Sequence, residues 1–510
     1  MVNQSKIVKN SLWLYLRMFI VTGVALYTSR VVLCELGGED FGIYNVTGSL
    51  VAFLSVLTTS LSNSTQRFLN IKKGEDDNEG IAYILGVSVN LHKIASFIIV
   101  LLSESVGVYF VLFVLVLPEH KQVEAFWCYQ ASVIALIFTF LRIPYMSLAV
   151  TYEKFAFIAW TSLVDVLIKL GMAFTLGWIV KYRLIYYGFS FTLMAILLYY
   201  VFRFYCNKII KLQQVEIKNT FKSQESYALL SFSSWAMLGN ISNVMANQGI
   251  GIVLNIFYSV VVNAAMGITN QVTNTIATFV NNVQQAFRPQ LLQSYADKDK
   301  SSFFSLLFST SRWSFFLLLL IAVPLVCNIK YVLTLWLGSY PEYTDSFIII
   351  LIGYLLIDSL GTPLMNGIEA NGKVRRFQVN MSVLYLLNVV LALIMCYWGQ
   401  SPNMVIISKL VVNIFIFLLK IIELKKVEKT FLVKLYFKKV LIPILPVFGF
   451  CLLYVFVAEQ WEESLEKFCL STLAFLITYI VLILFVGLSA RERNYFISKI
   501  LYKNETHKII

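Results

Sequence analysis

The sequence predicts an all-α integral membrane protein of about fourteen transmembrane helices, built as two parallel six-helix repeats followed by two C-terminal helices. Three observations support this. The 510 residues are 58% hydrophobic and only 14% charged, with a mean hydropathy of +0.75, a balance that a water-exposed surface does not tolerate. Apolar stretches of the roughly 20 residues that cross a ~30 Å hydrocarbon core recur along nearly the whole chain. Lys and Arg fall in alternate connections, as the positive-inside rule requires.

The first stretch, 11–33, is too long for a signal-peptide core and lacks a small-residue cleavage site behind it. It is expected to stay as a signal anchor, with the mature chain starting at Met1. Spans follow at 41–64, 81–103, 125–148, 155–180 and 185–206. The apolar run 106–117 is too short to cross alone and reads as an interfacial piece or an extension of the third helix. After a polar, basic linker come spans at 227–256, 260–287, 303–326, 346–365, 377–398 and 404–422, and then two more at 440–457 and 468–487. The expected organisation is an N-terminal lobe over 1–224, a second lobe over 225–425, and the last two helices with a basic tail over 426–510.

Basic residues such as Lys6, Lys72, Lys154, Lys208, Lys298, Lys373, Lys426 and Arg491 all fall on one side of this count. The opposite connections hold few, among them Lys121, Lys181, Arg183 and Lys330, together with acidic segments. Both termini are therefore expected in the cytoplasm. The net charge of +13 lies in the connections, not along a stripe, so it reports orientation and does not suggest nucleic acid. Seven cysteines are scattered without paired spacing, which predicts neither a disulfide framework nor a metal site.

The second span carries Asn45, Gly48, Ala52, Ser55, Thr59, Ser62 and Gln66 at spacings of three or four, a continuous polar or small face. The eighth repeats the rhythm with Asn263, Gly267, Asn270, Asn274, Thr278, Asn281 and Gln285, displaced by about 220 positions. Arg67 follows the first stripe and Arg288 the second. A further correspondence links Pro144 and Glu153-Lys154 with Pro363, Glu369 and Gly372-Lys373. Six helices is an even number, so the repeats would be parallel, with substrate expected between them. A polar stripe is either helix-to-helix glue or the wall of a hydrated cavity, and both roles can coexist at different depths.

A charge in mid-membrane costs roughly 2.5 to 3.5 kcal/mol on insertion scales and therefore needs a partner, water or a function. Arg17, Arg30, His92, Lys93, Asp165, Lys169, Arg312, Asp358 and Lys409 all lie inside expected spans, and cations outnumber anions among them. Such an excess suits a diphosphate or an acidic sugar. Arg17 and Arg30 are the leading candidates, with snorkelling as the alternative for each. Asp165 and Lys169 are four apart and suit a local ion pair. Asp358 could bind a coupling cation or proton, or cap a basic neighbour; Asp165 and His92 are further coupling candidates. No Gly-rich phosphate loop, HExxH or GxSxG motif occurs, so no catalytic residue and no cofactor is expected.

Residues 14–70 include Ser29-Arg30-Val31-Val32-Leu33, Leu36-Gly37, Asp40-Phe41-Gly42-Ile43-Tyr44-Asn45 and Ser64-Thr65-Gln66-Arg67-Phe68. This segment resembles the start of polysaccharide flippases of the Wzx, O-antigen type. Glu104 with Gly107, Ile143-Pro144-Tyr145, Leu335-Trp336-Leu337-Gly338 with Pro341, and Glu369-Ala370-Asn371-Gly372-Lys373 are similar to later landmarks of that family. The resemblance implies a multidrug/oligosaccharidyl-lipid/polysaccharide exporter fold, two lobes around a cationic cavity, and alternating access. It also implies an undecaprenyl-diphosphate-linked oligosaccharide as substrate, carried across a bacterial inner membrane for lipopolysaccharide or other surface polysaccharide. Membrane lipids are expected partners, with a polysaccharide polymerase and glycosyltransferases as further candidates. The substrate-binding candidates are Arg17, Arg30, Asn45, Gln66, Arg67, Asn263, Asn270, Asn274, Asn281 and Gln285. The competing readings are a cation-coupled multidrug exporter of the same fold, which would carry an acidic site in its first helix, and a membrane-embedded glycan polymerase or acyltransferase, which would need a catalytic loop.

Overall fold

The computed structural model describes residues 4–54, 61–62, 65–66, 68–70, 72–73, 75–152, 154–179, 181–211, 224–296, 299–371, 375–487 and 493.

 Among the described residues the structure is helical almost throughout and contains no strand, as expected for an all-α membrane protein.

Among the described residues fifteen α-helices follow one another. α1 is Gln4–Leu54, α2 Asn78–Leu102, α3 Gln122–Thr151, α4 Phe155–Thr175, α5 Arg183–Lys211, α6 Gln224–Phe257, α7 Val260–Ala296 and α8 Lys300–Cys327. α9 is Ile329–Leu337, α10 Thr344–Asn371, α11 Arg375–Tyr397, α12 Pro402–Val427, α13 Val433–Tyr436, α14 Ile442–Ala458 and α15 Leu465–Leu482. Eleven helical runs among the described residues are long and apolar enough to cross a bilayer. That number counts α1 once, although Gly37 divides it at φ 77°, a value glycine adopts without the steric cost of a Cβ. The first two expected spans are thus two helical segments that meet at the non-helical Gly37. α6 and α7 stand where the seventh and eighth spans were expected, and α9 is a short helix that apolar windows of membrane length do not detect.

The run 106–117 extends the third span through two π-turns, Ser103–Gly107 and Phe110–Val114. A π-turn disturbs the regular backbone ladder, and Tyr129 of α3 donates its hydroxyl to the Ser103 carbonyl at 3.1 Å. Gly107 makes room for that ring, since a Cβ there would lie 1.8 Å from the Tyr129 hydroxyl. Past the second turn, Asn255 of α6 pairs with both backbone groups of Val116, accepting from its N–H at 3.0 Å and donating to its carbonyl at 3.3 Å.

The packing forms two compact units: Met1–Ile268 with Pro341–Tyr343 and Tyr385–Val405, and Thr269–Tyr340 with Thr344–Leu384 and Ile406–Ile510. These are defined by packing, whereas the boundaries at 224 and 425 are drawn from the sequence repeat. In the first unit, α3 and α5 lie close because Gly188 sits against Ala131 and Cys128. Thr192 adds a hydrogen bond to the Ala131 carbonyl at 2.6 Å, and the Cys206 thiol donates to the Tyr145 carbonyl at 3.1 Å. Ile84, Leu85, Leu148, Ile158 and Phe202 make an apolar core around this pair. In the second unit, Phe303, Phe316 and Phe347 are fully buried, and Tyr479 of α15 donates to the Phe316 carbonyl at 2.8 Å.

Two tests follow from local geometry. A Cβ on Gly42 would lie 1.9 Å from the Val260 carbonyl oxygen, so Gly42→Ala must push α1 away from the start of α7. It should destabilise the protein by about 1 to 3 kcal/mol, visible as a lower Tm in detergent, and an unchanged Tm would refute the contact. Asp77 caps α2 by accepting from the Gly80 N–H at 2.7 Å. That bond, then the one from Lys72, holds its carboxyl below the ordinary value of 3.8. Because the folded-state value is depressed, the charge-dependent part of the cap is present above the ordinary value and disappears as pH falls through the folded one. Asp77→Ala should therefore lower Tm at pH 7, and the gap to the parent protein should narrow in acid. An equal gap at pH 7 and pH 3 would remove the carboxylate charge from the account.

Candidate transport site

The polar stripes are the first place to look for a path through the membrane, and the structure divides them by depth. In the first unit, Asn45 is half-buried and donates to the Phe41 carbonyl one turn back at 2.7 Å. A Cβ on Gly267 would lie 2.4 Å from the Asn45 amide, so these two stripe residues face each other across α1 and α7. Asn263 is 2% exposed. In the amide orientation that satisfies both of its ends, it donates to the Gly251 carbonyl at 2.7 Å and accepts from the Asn255 N–H at 3.2 Å. This part of the stripe joins helices.

Further along α7, within the second unit, the pattern opens. Asn270 is half-buried, while Asn274, Thr278 and Asn281 are exposed. Thr278 returns its hydroxyl proton to the Asn274 carbonyl at 2.8 Å, so its oxygen lone pairs stay available on that surface. One turn on, Gln284 is buried and donates to the Ser359 carbonyl at 3.1 Å. Ser359 stands four residues before Pro363, which has no N–H to offer that carbonyl. A stripe that is uniform in sequence therefore holds both packing amides and exposed polar groups, while Gln284, outside the stripe on the same helix, caps a backbone carbonyl.

Of the remaining candidates, Arg30 is exposed on α1 and Gln66 is half-buried. Arg67 and the side chains of Arg17 and Gln285 lie outside the described residues. Asp165 and Lys169 form the expected i,i+4 pair at 2.9 Å, with the lysine 5.0 Å from the Phe191 ring. His92 is buried against Phe140, with Nδ1 2.7 Å from the Ser88 carbonyl and no hydrogen-bond partner at Nε2 among the described residues. The short contact identifies Nδ1 as the protonated nitrogen, because a carbonyl can only accept.

Asp358 has a cationic partner. Lys420 of α12 reaches it at 3.1 Å, the lysine side chain 4% exposed and the aspartate 38%. The lysine runs along Gly361, where a Cβ would come within 2.9 Å of its Cδ and Nζ. Lys409, on the same face of α12 three turns earlier, is buried 5.0 Å from the Tyr354 ring, and Asn413 donates to the Tyr354 carbonyl at 2.9 Å. The second unit thus holds a seam between α10 and α12 with two buried ammonium groups and one partly exposed carboxylate. Asp358 there caps a basic neighbour, one of the two roles open to it from sequence.

Two features escaped the sequence reading. Lys420 stands near the end of the expected span 404–422, where a lysine is ordinarily taken to reach the cytoplasmic surface, yet it is among the more buried charges of the described residues. α6 also carries Asn243, Asn247, Gly251 and Asn255 at fourfold spacing, with Asn247 donating to the Asn243 side chain at 2.6 Å. That rhythm was visible, but the apolar residues between those positions concealed it. Among the described residues, no group of three or more His, Cys, Asp or Glu side chains converges as a metal site would.

No protein-family model matches the sequence, and no curated protein matches it. The fold does have solved counterparts. One is described as the lipid II flippase MurJ in an inward closed conformation: TM-score 0.68 and 14% identity over 93% of this chain and 98% of that one. A multidrug-resistance MATE family transporter of the MOP superfamily in an inward-facing conformation gives 0.65 and 13%, over 82% and 99%. A MOP superfamily transporter from Pyrococcus furiosus, described as having a binding pocket of reversed polarity, gives 0.60 and 13%, over 83% and 97%. At these identities the likeness concerns the fold: this chain is a multi-pass membrane protein with the fold of MOP-superfamily transporters.

Proposed function

We propose that the protein is a flippase that carries an anionic, undecaprenyl-diphosphate-linked oligosaccharide from the cytoplasmic to the periplasmic leaflet of a bacterial inner membrane. It acts by alternating access in the making of a surface polysaccharide of the O-antigen class, with both termini in the cytoplasm. The reading is supported chiefly by the likeness to a lipid II flippase along 93% of the chain. The exposed amides and hydroxyl of Asn274, Thr278 and Asn281 add a polar surface suited to sugar hydroxyls. Arg17 and Arg30 would meet the diphosphate, for which guanidinium groups are suited by charge and bidentate geometry. Coupling to an ion or proton would involve Asp358, Asp165 or His92.

A cation-coupled multidrug exporter is the second reading, favoured by the likeness to a MATE family transporter. That likeness reaches 82% of this chain, and the expected first span, 11–33, holds Arg17 and Arg30 and no carboxylate, where a drug-cation carrier would need one. An enzyme reading would require a convergent acid, base or nucleophile, and the fold likenesses are to transporters.

The deciding experiment is deletion of the gene in a strain without a redundant carrier. Lipid-linked oligosaccharide should accumulate in the cytoplasmic leaflet, and unchanged surface glycan without accumulation would reject flipping. Arg30→Ala and Arg17→Ala should each cut complementation of that strain at least about tenfold while inserting normally; full activity in both would exclude them. The Asp358–Lys420 pair gives a sharper comparison. Asp358→Asn leaves the buried Lys420 ammonium without its counter-charge, whereas the Asp358→Asn, Lys420→Met double variant removes both charges. The single variant should show the lower Tm. If the double variant is the less stable of the two, the ion pair does not hold α10 to α12.

A further inference from the structure

The connection between α12 and α14 is lysine-rich, and the structure shows it to be a built surface. Six of the fifteen residues 425–439 are lysines, and all six side chains are exposed. The backbone that presents them is held from below at four points. Glu428 pairs with Lys300 at the start of α8. Phe431 is fully buried beside Phe304, Phe308 and Tyr436. The Tyr436 hydroxyl donates to the Leu360 carbonyl at 3.3 Å. Arg312, 6% exposed in mid-span, donates to the Lys439 carbonyl at 3.1 Å, inside the π-turn Phe437–Leu441.

Apolar side chains stand out among the lysines. Leu432 is 58% exposed, Phe437 44% and Ile442 59%, the first just before and the other two within the opening turns of the apolar span Val433–Ala458. A loop whose lysines served only to set topology would need no such anchoring and no apolar projections. The combination of ammonium groups with projecting apolar side chains at a membrane boundary matches the two halves of a phospholipid: anionic phosphate above, acyl chain below.

We infer that residues 425–439 form a docking ledge for the headgroups of anionic phospholipids, with Leu432, Phe437 and Ile442 lying against their acyl chains. Lys429, Lys434, Lys438 and Lys439 supply the charge, since Lys425 donates to the Lys429 carbonyl at 2.8 Å and Lys426 is engaged by Glu423 at 3.1 Å. The inference is independent of the proposed substrate, because it needs only a lipid phosphate at the surface.

The test is native mass spectrometry of the purified full chain exchanged into equal phosphatidylglycerol and phosphatidylethanolamine, with farnesyl diphosphate in a parallel arm. The parent protein should retain phosphatidylglycerol preferentially. A variant with Lys429, Lys434, Lys438 and Lys439 all changed to Gln should lose that preference by about tenfold or more, and the same four changed to Arg should keep it. Equal retention in the Gln variant and the parent would overturn the proposal. So would loss of farnesyl diphosphate alone, which would make the ledge a site for the substrate's diphosphate. Should the Gln variant not fold, the parent still decides: its preference must fall between 50 mM and 500 mM salt, and a salt-independent preference would also overturn the proposal.

Discussion

The constraint that organises this protein is the demand that every backbone polar group in the bilayer find a partner inside the protein. Regular helix meets it without help. Each departure from regular helix needs a side chain from elsewhere, and the structure supplies several. Tyr129 serves the π-turn at Ser103, and Asn255 serves both groups of Val116. Gln284 takes the carbonyl that Pro363 leaves without a donor, and Arg312 reaches the π-turn at Lys439. These polar residues inside apolar spans have work to do before any substrate is considered.

Buried charge follows the same rule. Asp165 finds Lys169 on its own helix, while Asp358 finds Lys420 across two helices. Lys420, whose side chain is 4% exposed, gives up most of its hydration and depends on the partly exposed Asp358 to offset that loss. Lys409, on the same seam between α10 and α12, lies beside Tyr354, where an aromatic face partly replaces water. This leaves the exposed run Asn274 to Asn281 as the part of the α7 stripe available to a solute.

Several family-like motifs gain a local physical reason. Gly42 lets α1 approach Val260, Gly107 admits the Tyr129 ring, and Gly338 ends α9 at φ 79° with its N–H on the Thr334 carbonyl at 2.8 Å. Asp40 holds Lys121 at 3.0 Å, and Thr65 meets Ser88 at 2.7 Å. These contacts give each of those residues a packing or pairing role without assigning any of them to substrate.

The sequence by itself determined the membrane class and the order of spans, because hydropathy is a property of each segment and the bilayer judges segments one at a time. It also determined the Asp165–Lys169 pair, whose partners lie one helical turn apart. It left open whether a stripe of asparagines packs or faces solvent, and it missed Lys420 as the partner of Asp358. Only the tertiary structure decided those, because what a polar side chain does in a membrane depends on which neighbouring helix comes within hydrogen-bond reach, and the chain separation in these pairs is far beyond any local period.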